Sequence, residues 1–258
     1  MLSPRHRAHL WHFTPMISRL TLFALCFSST LVLGQTPAAE EKPKVDPAAA
    51  AKRIKDLGNN DYELGGIRFN SATREIRIPC AVNMQQGQIE FALVHETGKT
   101  HESILKTSIS PVDMQVALLL CSYEPGHNGL FDHEKDPTVK KNLEETQTKT
   151  PGANKVQLFV ETGKDAEKKR VQIRDWIKDN TTEKAPTDFD HWIFNGSMVQ
   201  ESGFSAALHG NLVGIYYDVA AILNCPTPRN RNDEAWFVME DLVPAVDSPV
   251  TLIIAPTK

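Results

Sequence analysis

The chain has 258 residues, 41% of them hydrophobic, with 28 Lys+Arg against 32 Asp+Glu and a formal net charge of −4. An acidic balance repels phosphate backbones, and the basic residues that do cluster, Lys168-Lys169-Arg170, follow Asp165 and Glu167, so nucleic acid is excluded as the expected partner. The length suffices to bury a sizeable core as one domain or at most two small ones.

At the N-terminus, Arg5, Arg7 and Arg19 precede the uncharged run LTLFALCFSSTLVLG, and Val32-Leu33-Gly34 offers a cleavage point before Gln35. That pattern predicts a secretory signal peptide over 1–34, with Met1 or Met16 as the start. Leu20 to Leu33 is 14 residues, short of the ~20 that span a bilayer, so no membrane span is expected after cleavage. Cys26 lacks the small neighbours that lipid-anchor processing requires. Without residues 1–34 the chain loses three Arg and no acid, leaving 25 basic against 32 acidic residues and a net charge of −7. Residues 35–45 are too poor in apolar surface to pack and read as a disordered tether. A short helix is expected next, with Asp46 as N-cap, Pro47 at its first position and Gly58 as its stop. The linker thus covers 35–61 and the folded domain 62–258.

From Tyr62 onward the dominant period is two. GIRFNSATREIRIP reads as a hairpin, and further strands are expected at QIEFALVH, HESILKT, NKVQLFVET, RVQIRDW, HWIFNGS, NLVGIYY, AWFVM and SPVTLIIAP. One long apolar helix stands out, capped by Ser110, opened by Pro111 and filled by VDMQVALLLCSY before Pro125-Gly126; its composition predicts cover on most sides. Residues 126–154 form a polar surface excursion. The fold class is α+β: a β-rich antiparallel sheet domain with one long apolar helix.

Two stretches echo each other: IEFALVHETGK at 89–99 and VQLFVETGK at 156–164. Gly98-Lys99-Thr100 resembles the end of a phosphate-binding loop, but the earlier glycine that such a loop needs is Leu93 here and Leu158 in the second copy. Both read as hairpin turns, with Gly98 and Gly163 supplying positive φ. After Lys99, His101-Glu102-Ser103 groups three reactive side chains. On a strand His101 and Ser103 would share one face and Glu102 the other. A zinc helix would need a second His four residues on, although His95, His127 and His133 lie in the same region. His101 is read as a hydrogen-bonded or surface residue beside a turn, with a ligand or general-base role as the alternative.

No Gly-x-Ser-x-Gly elbow accompanies Ser103, Ser197 or Ser202, and no catalytic residue is assigned. FDHWIFNGSMVQ offers a binding stripe, with Trp192 and Phe194 on one strand face and Gly196 permitting close backbone approach; such stripes more often face a core. Cys80, Cys121 and Cys225 follow apolar runs and read as buried residues; in an oxidising compartment two of the three could pair, which leaves at least one free thiol.

The combination of GKTHESIL, SPVDMQVALLL, DWIKDNTTEKAPTDFDHWIFNGS, GIYYDVAAILN and SPVTLIIAP resembles the YdjY-domain family, exported bacterial proteins of unknown function. The resemblance spans about residues 65–256. Some members are described as ferredoxin-like, which implies an iron–sulfur carrier, yet three dispersed Cys without Cys-x-x-Cys do not supply four thiolates. The positions matching the family's motifs are Lys99, His101, Glu102, Ser103, Trp192, Phe194, Gly196 and Ser197. The expectation is an exported, non-catalytic binding or cell-envelope protein of the periplasm or exterior, without cofactor, whose partner is a protein or envelope component. A metal-dependent enzyme using His101 and Glu102 is the alternative, and an electron carrier the second. The sequons Asn180-Thr181-Thr182 and Asn195-Gly196-Ser197 matter only in a eukaryotic secretory route.

Overall fold

A computed structural model describes residues 52–126, 152–163 and 167–257. The expected signal peptide, the tether and nearly all of the 126–154 excursion lie outside these residues.

Among the described residues, sixteen strands and two α-helices follow the chain in this order. The N-terminal segment holds β1 (Lys55–Gly58), β2 (Asp61–Leu64), β3 (Ile67–Asn70), β4 (Ile76–Val82), β5 (Phe91–His95), β6 (Ser103–Thr107) and α1 (Pro111–Leu120). The middle holds β7 (Lys155–Thr162), β8 (Lys169–Gln172), β9 (Ile177–Asp179), β10 (Trp192–Phe194), β11 (Val199–Gln200), β12 (Gly203–Phe204) and α2 (Ser205–His209). Strands β13 (Asn211–Gly214), β14 (Leu223–Asn224), β15 (Trp236–Val238) and β16 (Pro249–Pro256) complete it.

Eight strands close into a barrel in the order β4-β16-β7-β10-β14-β13-β5-β6, and β6 returns to β4 through Ala81↔Lys106 and Val82↔Leu105. Closure satisfies every ladder within the ring and removes exposed edges. Outside the ring, β3, β2 and β1 extend from β4, and β8 pairs with β7. The registers show what fills the interior. Phe194 lies opposite Leu223, Leu223 opposite Val213, Val213 opposite Leu93, Leu93 opposite Leu105 and Leu105 opposite Val82. All six belong to one buried cluster, joined on the far wall by Ile78, Leu252 and Val160. Because strand side chains alternate, this ring explains the period-two signal in the sequence.

Four expectations need correction. The sheet is mixed, since β5–β6 and β13–β14 are parallel. The long apolar helix is only ten residues. Pro111, Met114, Ala117 and Leu118 bury one face, while Leu119 and Leu120 are 46% and 42% exposed; the helix ends because Ser122 turns left-handed, with φ 58°. The body of the helix expected from Asp46 to Gly58 is instead extended at Lys55–Gly58. Gly58, Asn59 and Asn60 all have positive φ and reverse the chain, so that Lys55 pairs with Glu63, a turn chemistry that outweighs helix propensity. Finally, Gly163 does have φ +80° at the β7–β8 hairpin, but Gly98 has no positive φ. Gly98 lies in a return segment between parallel strands, where an added Cβ would sit 2.9 Å from Gly210 O and 3.0 Å from His209 O.

Asp113, in the first turn of α1, is buried and ion-paired with Arg53. Gly65 makes room for the pair: a Cβ there would fall 2.1 Å from Asp113 Oδ2. The segment before β1 is thereby fastened to the helix.

Cys80, Cys121 and Cys225 are buried, as their apolar contexts predict, and all three are free, which settles the pairing that the sequence leaves open. Burial pushes the Cys80 and Cys121 thiols up to about 12 and raises Cys225 as well. A thiol needs both thiolate and access to react. We therefore expect iodoacetamide at neutral pH to leave all three unmodified in native protein and to alkylate all three in denaturant, read by intact mass; rapid native labelling at any of them would contradict this packing.

Candidate functional site

The short segment between β5 and β6 positions the first motif. His95 N bonds Gly210 O at 2.8 Å, Gly98 N bonds His95 O at 2.8 Å, and Thr100–Glu102 form one turn of 3-10 helix before β6. His101 and Glu102 therefore sit on a turn rather than on opposite faces of a strand. His101 is 73% exposed and its Nε2 lies 3.4 Å from Glu102 Oε1. Ser103 is fully buried, and its hydroxyl donates to Leu105 O at 2.7 Å. Asn83 holds the turn by donating Nδ2 to Ser103 O at 2.8 Å and to Thr100 O.

Lys99 is the centre of an ion cluster. Its Nζ lies 3.0 Å from Glu90 Oε2, 3.3 Å from Glu102 Oε2 and 5.4 Å from the centre of the Phe91 ring. Two carboxylates thus share one ammonium. Burial pushes the Glu90 carboxyl above its ordinary range; Lys99 pulls it back, and the nearby Glu102 adds to the rise. Burial acts downward on Lys99, but its bonds to Glu90 and Glu102 prevail and raise it.

The second motif has a different character. Trp192 and Phe194 both face the barrel core, and Trp192 meets Phe189 edge-on with centroids 5.5 Å apart. Gly196 has φ +80°, and a Cβ there would approach Pro125 Cβ to 2.6 Å. Ser197, with φ 56°, donates its hydroxyl to Ala220 O at 2.6 Å and accepts from Ala206 N at 3.1 Å, which satisfies a first-turn N–H of α2. The aromatic stripe is core, and Gly196-Ser197 is a built corner.

The model of the YdjY domain matches residues 67–255. The chain belongs to this family. Comparisons with curated proteins and with solved structures find no match. The matched span opens at Ile67, the first residue of β3, and ends inside β16, so it holds all eight strands of the barrel.

In this YdjY domain, a cavity of about 420 Å³ joins the two motifs: Lys99 lines one side and Met198, next to Ser197, another. Between them stand Glu90, Asn211 and Asp218. Asn211 Nδ2 donates to Asp218 Oδ2, and Asp218 Oδ1 accepts from Ala220 N at 2.8 Å. Glu90 and Asn211 are absent from the motif-based candidates. An acid at the head of a strand and an Asn at the start of another look like ordinary strand termini until the barrel brings them together. Larger cavities occur, one of about 760 Å³ beside Arg77 and Glu161, where Arg77 pairs with Glu75 and Glu161, and Lys168 with Glu161. Among the described residues, no three His, Cys, Asp or Glu side chains are grouped as a metal site, and no helix is long and apolar enough to cross a membrane.

Glu90 makes a pH signature. Its raised folded pKa means that the folded state takes up a proton before the unfolded chain does, so this residue's contribution to stability is present at low pH and lost as pH rises through the raised value. Glu90→Gln should therefore melt higher than wild type at pH 7, and the gap should shrink as pH falls to about 4. A lower melting temperature at pH 7 would show that the Lys99 pair outweighs burial.

Proposed function

We propose that this YdjY domain is an exported, non-catalytic binding domain that holds its ligand in the cavity shared by the two motifs. The observation that carries this reading is the commitment of both motif hydroxyls to the backbone: Ser103 to Leu105 O and Ser197 to Ala220 O. Among the described residues neither hydroxyl is bonded to a side-chain base, which an activated serine requires. His101, on an exposed turn with Glu102 Oε1 3.4 Å from its Nε2, supports a surface role. Export is supported by the arginine-led apolar run of the first 34 residues, and an envelope component is the partner that this location implies.

Three measurements on protein purified after export test the reading. A fluorophosphonate probe should label neither Ser103 nor Ser197, elemental analysis should find no stoichiometric metal that His101→Ala removes, and an anaerobic spectrum should show no visible band. Labelling of either serine, or a His101-dependent metal, would establish an enzyme instead. Ser103→Ala should cost only about 1 kcal/mol of stability, the worth of one hydrogen bond.

A further inference from the structure

The cavity's polar groups have a common character. Two carboxylates line the cavity, Glu90 and Asp218, against one lysine, Lys99, whose ammonium Glu90 already shares with Glu102 outside the lining. Asn211, only 5% exposed, lines the same cavity, and its Oδ1 has no hydrogen-bond partner in the structure. The orientation of that amide is fixed, because Nδ2 donates to Asp218 Oδ2 and the reverse orientation would set oxygen against carboxylate. A buried acceptor without a donor is unfavourable, and an incoming donor would offset that loss.

We propose that this cavity takes a small molecule bearing a primary ammonium group, held between Glu90 and Asp218 with Asn211 Oδ1 as a further acceptor. The proposal rests on the binding reading of the same site and names its ligand class. An ammonium carries three donors and no acceptor, and it matches walls in which acceptors and negative charge are in excess. His209 also lines the cavity, and His101 stands beside Glu102. Phe91 and Tyr216 supply aromatic wall for the ligand's carbon skeleton and for cation–π contact. A volume of about 420 Å³ is that of a small-molecule site rather than a docking face. An anion would meet the carboxylates, and a neutral polyol would leave the charge excess uncompensated. The raised Glu90 carboxyl accords with this, since a second cation relieves the crowding of two carboxylates on one lysine.

Isothermal titration of the exported full-length protein with cadaverine, glucosamine and glucose tests the proposal, the two amines separating an aliphatic from an amino-sugar source. Saturable binding of at least one amine is expected, weakened about tenfold or more by Glu90→Gln and by Asp218→Asn, and abolished by Met198→Trp, which fills the cavity from its rim. Circular dichroism establishes that each variant is folded, and the two carboxylate variants serve as independent checks on one another. No saturable amine binding up to about 10 mM, or amine binding indifferent to both carboxylate variants, overturns the proposal. Glucose binding that survives Glu90→Gln and Asp218→Asn but is lost in Met198→Trp overturns the ligand class and leaves the binding reading standing.

Discussion

Phe194→Ala is expected to remove about 3–5 kcal/mol of folding stability. The ring lies in the barrel's continuous inner belt, opposite Leu223 and fully buried. The belt is closed on itself through strand pairing, so neighbouring strands cannot collapse into the gap without breaking their own ladders, and most of the cavity would persist. Typical domains are stable by about 5–15 kcal/mol, so the loss is a large share of the total. Urea unfolding should show a lower midpoint with an unchanged slope. Phe159 is the internal control. Half-buried, it lies on the other face of β7, opposite Ile253, which is buried but outside the core cluster, with Arg170 4.2 Å from its ring centre. Phe159→Ala loses only a half-covered contact and should cost about 1 kcal/mol. Equal losses at the two positions would mean that the belt is not the core.

This contrast also marks what the sequence makes legible. In SPVTLIIAP the strand is legible but its inner face is not, because Leu252 to Ala255 is apolar throughout and only the fold sorts Leu252 and Ile254 into the core cluster, whereas HWIFNGS gives Trp192 and Phe194 a shared face, because period two is a local property of an extended chain. Pairing is not local. Nothing in FALVHETGKTHESILKT announces that the two strands run parallel, so Gly98 reads as a hairpin glycine although it is a packing glycine. The same limit hides the cavity. Lys99 and Ser197 are visible through their motifs, whereas Glu90, Asn211 and Asp218 acquire meaning only when β5 and β13 lie side by side. Leu119 and Leu120 show the opposite failure: composition predicts their burial, but a helix buries a face rather than a sequence.

The packing glycines yield the second large effect. Gly210 has φ +73°, and a Cβ there would lie 2.7 Å from Gly98 Cα and 2.9 Å from Gly98 N. Gly210→Ala adds a left-handed penalty of about 1–2 kcal/mol to an overpacking cost of about 1–3 kcal/mol, because the obstructing atoms are backbone and cannot rotate away. Gly98→Ala, without positive φ, meets Gly210 O and His209 O and should incur only the overpacking cost. Both variants need the same displacement of the β5–β6 connection from the start of β13. Once one alanine has forced it, the second finds the gap already open, so the double variant should lose less than the two single losses combined. Lys99 follows one glycine and Asn211 the other, hence the same displacement must also move these cavity walls away from each other. Amine affinity should fall in each single variant, and fall little further in the double. Strictly additive stability losses with amine affinity unchanged would mean that the contact supports the barrel alone and that the cavity takes its shape from elsewhere.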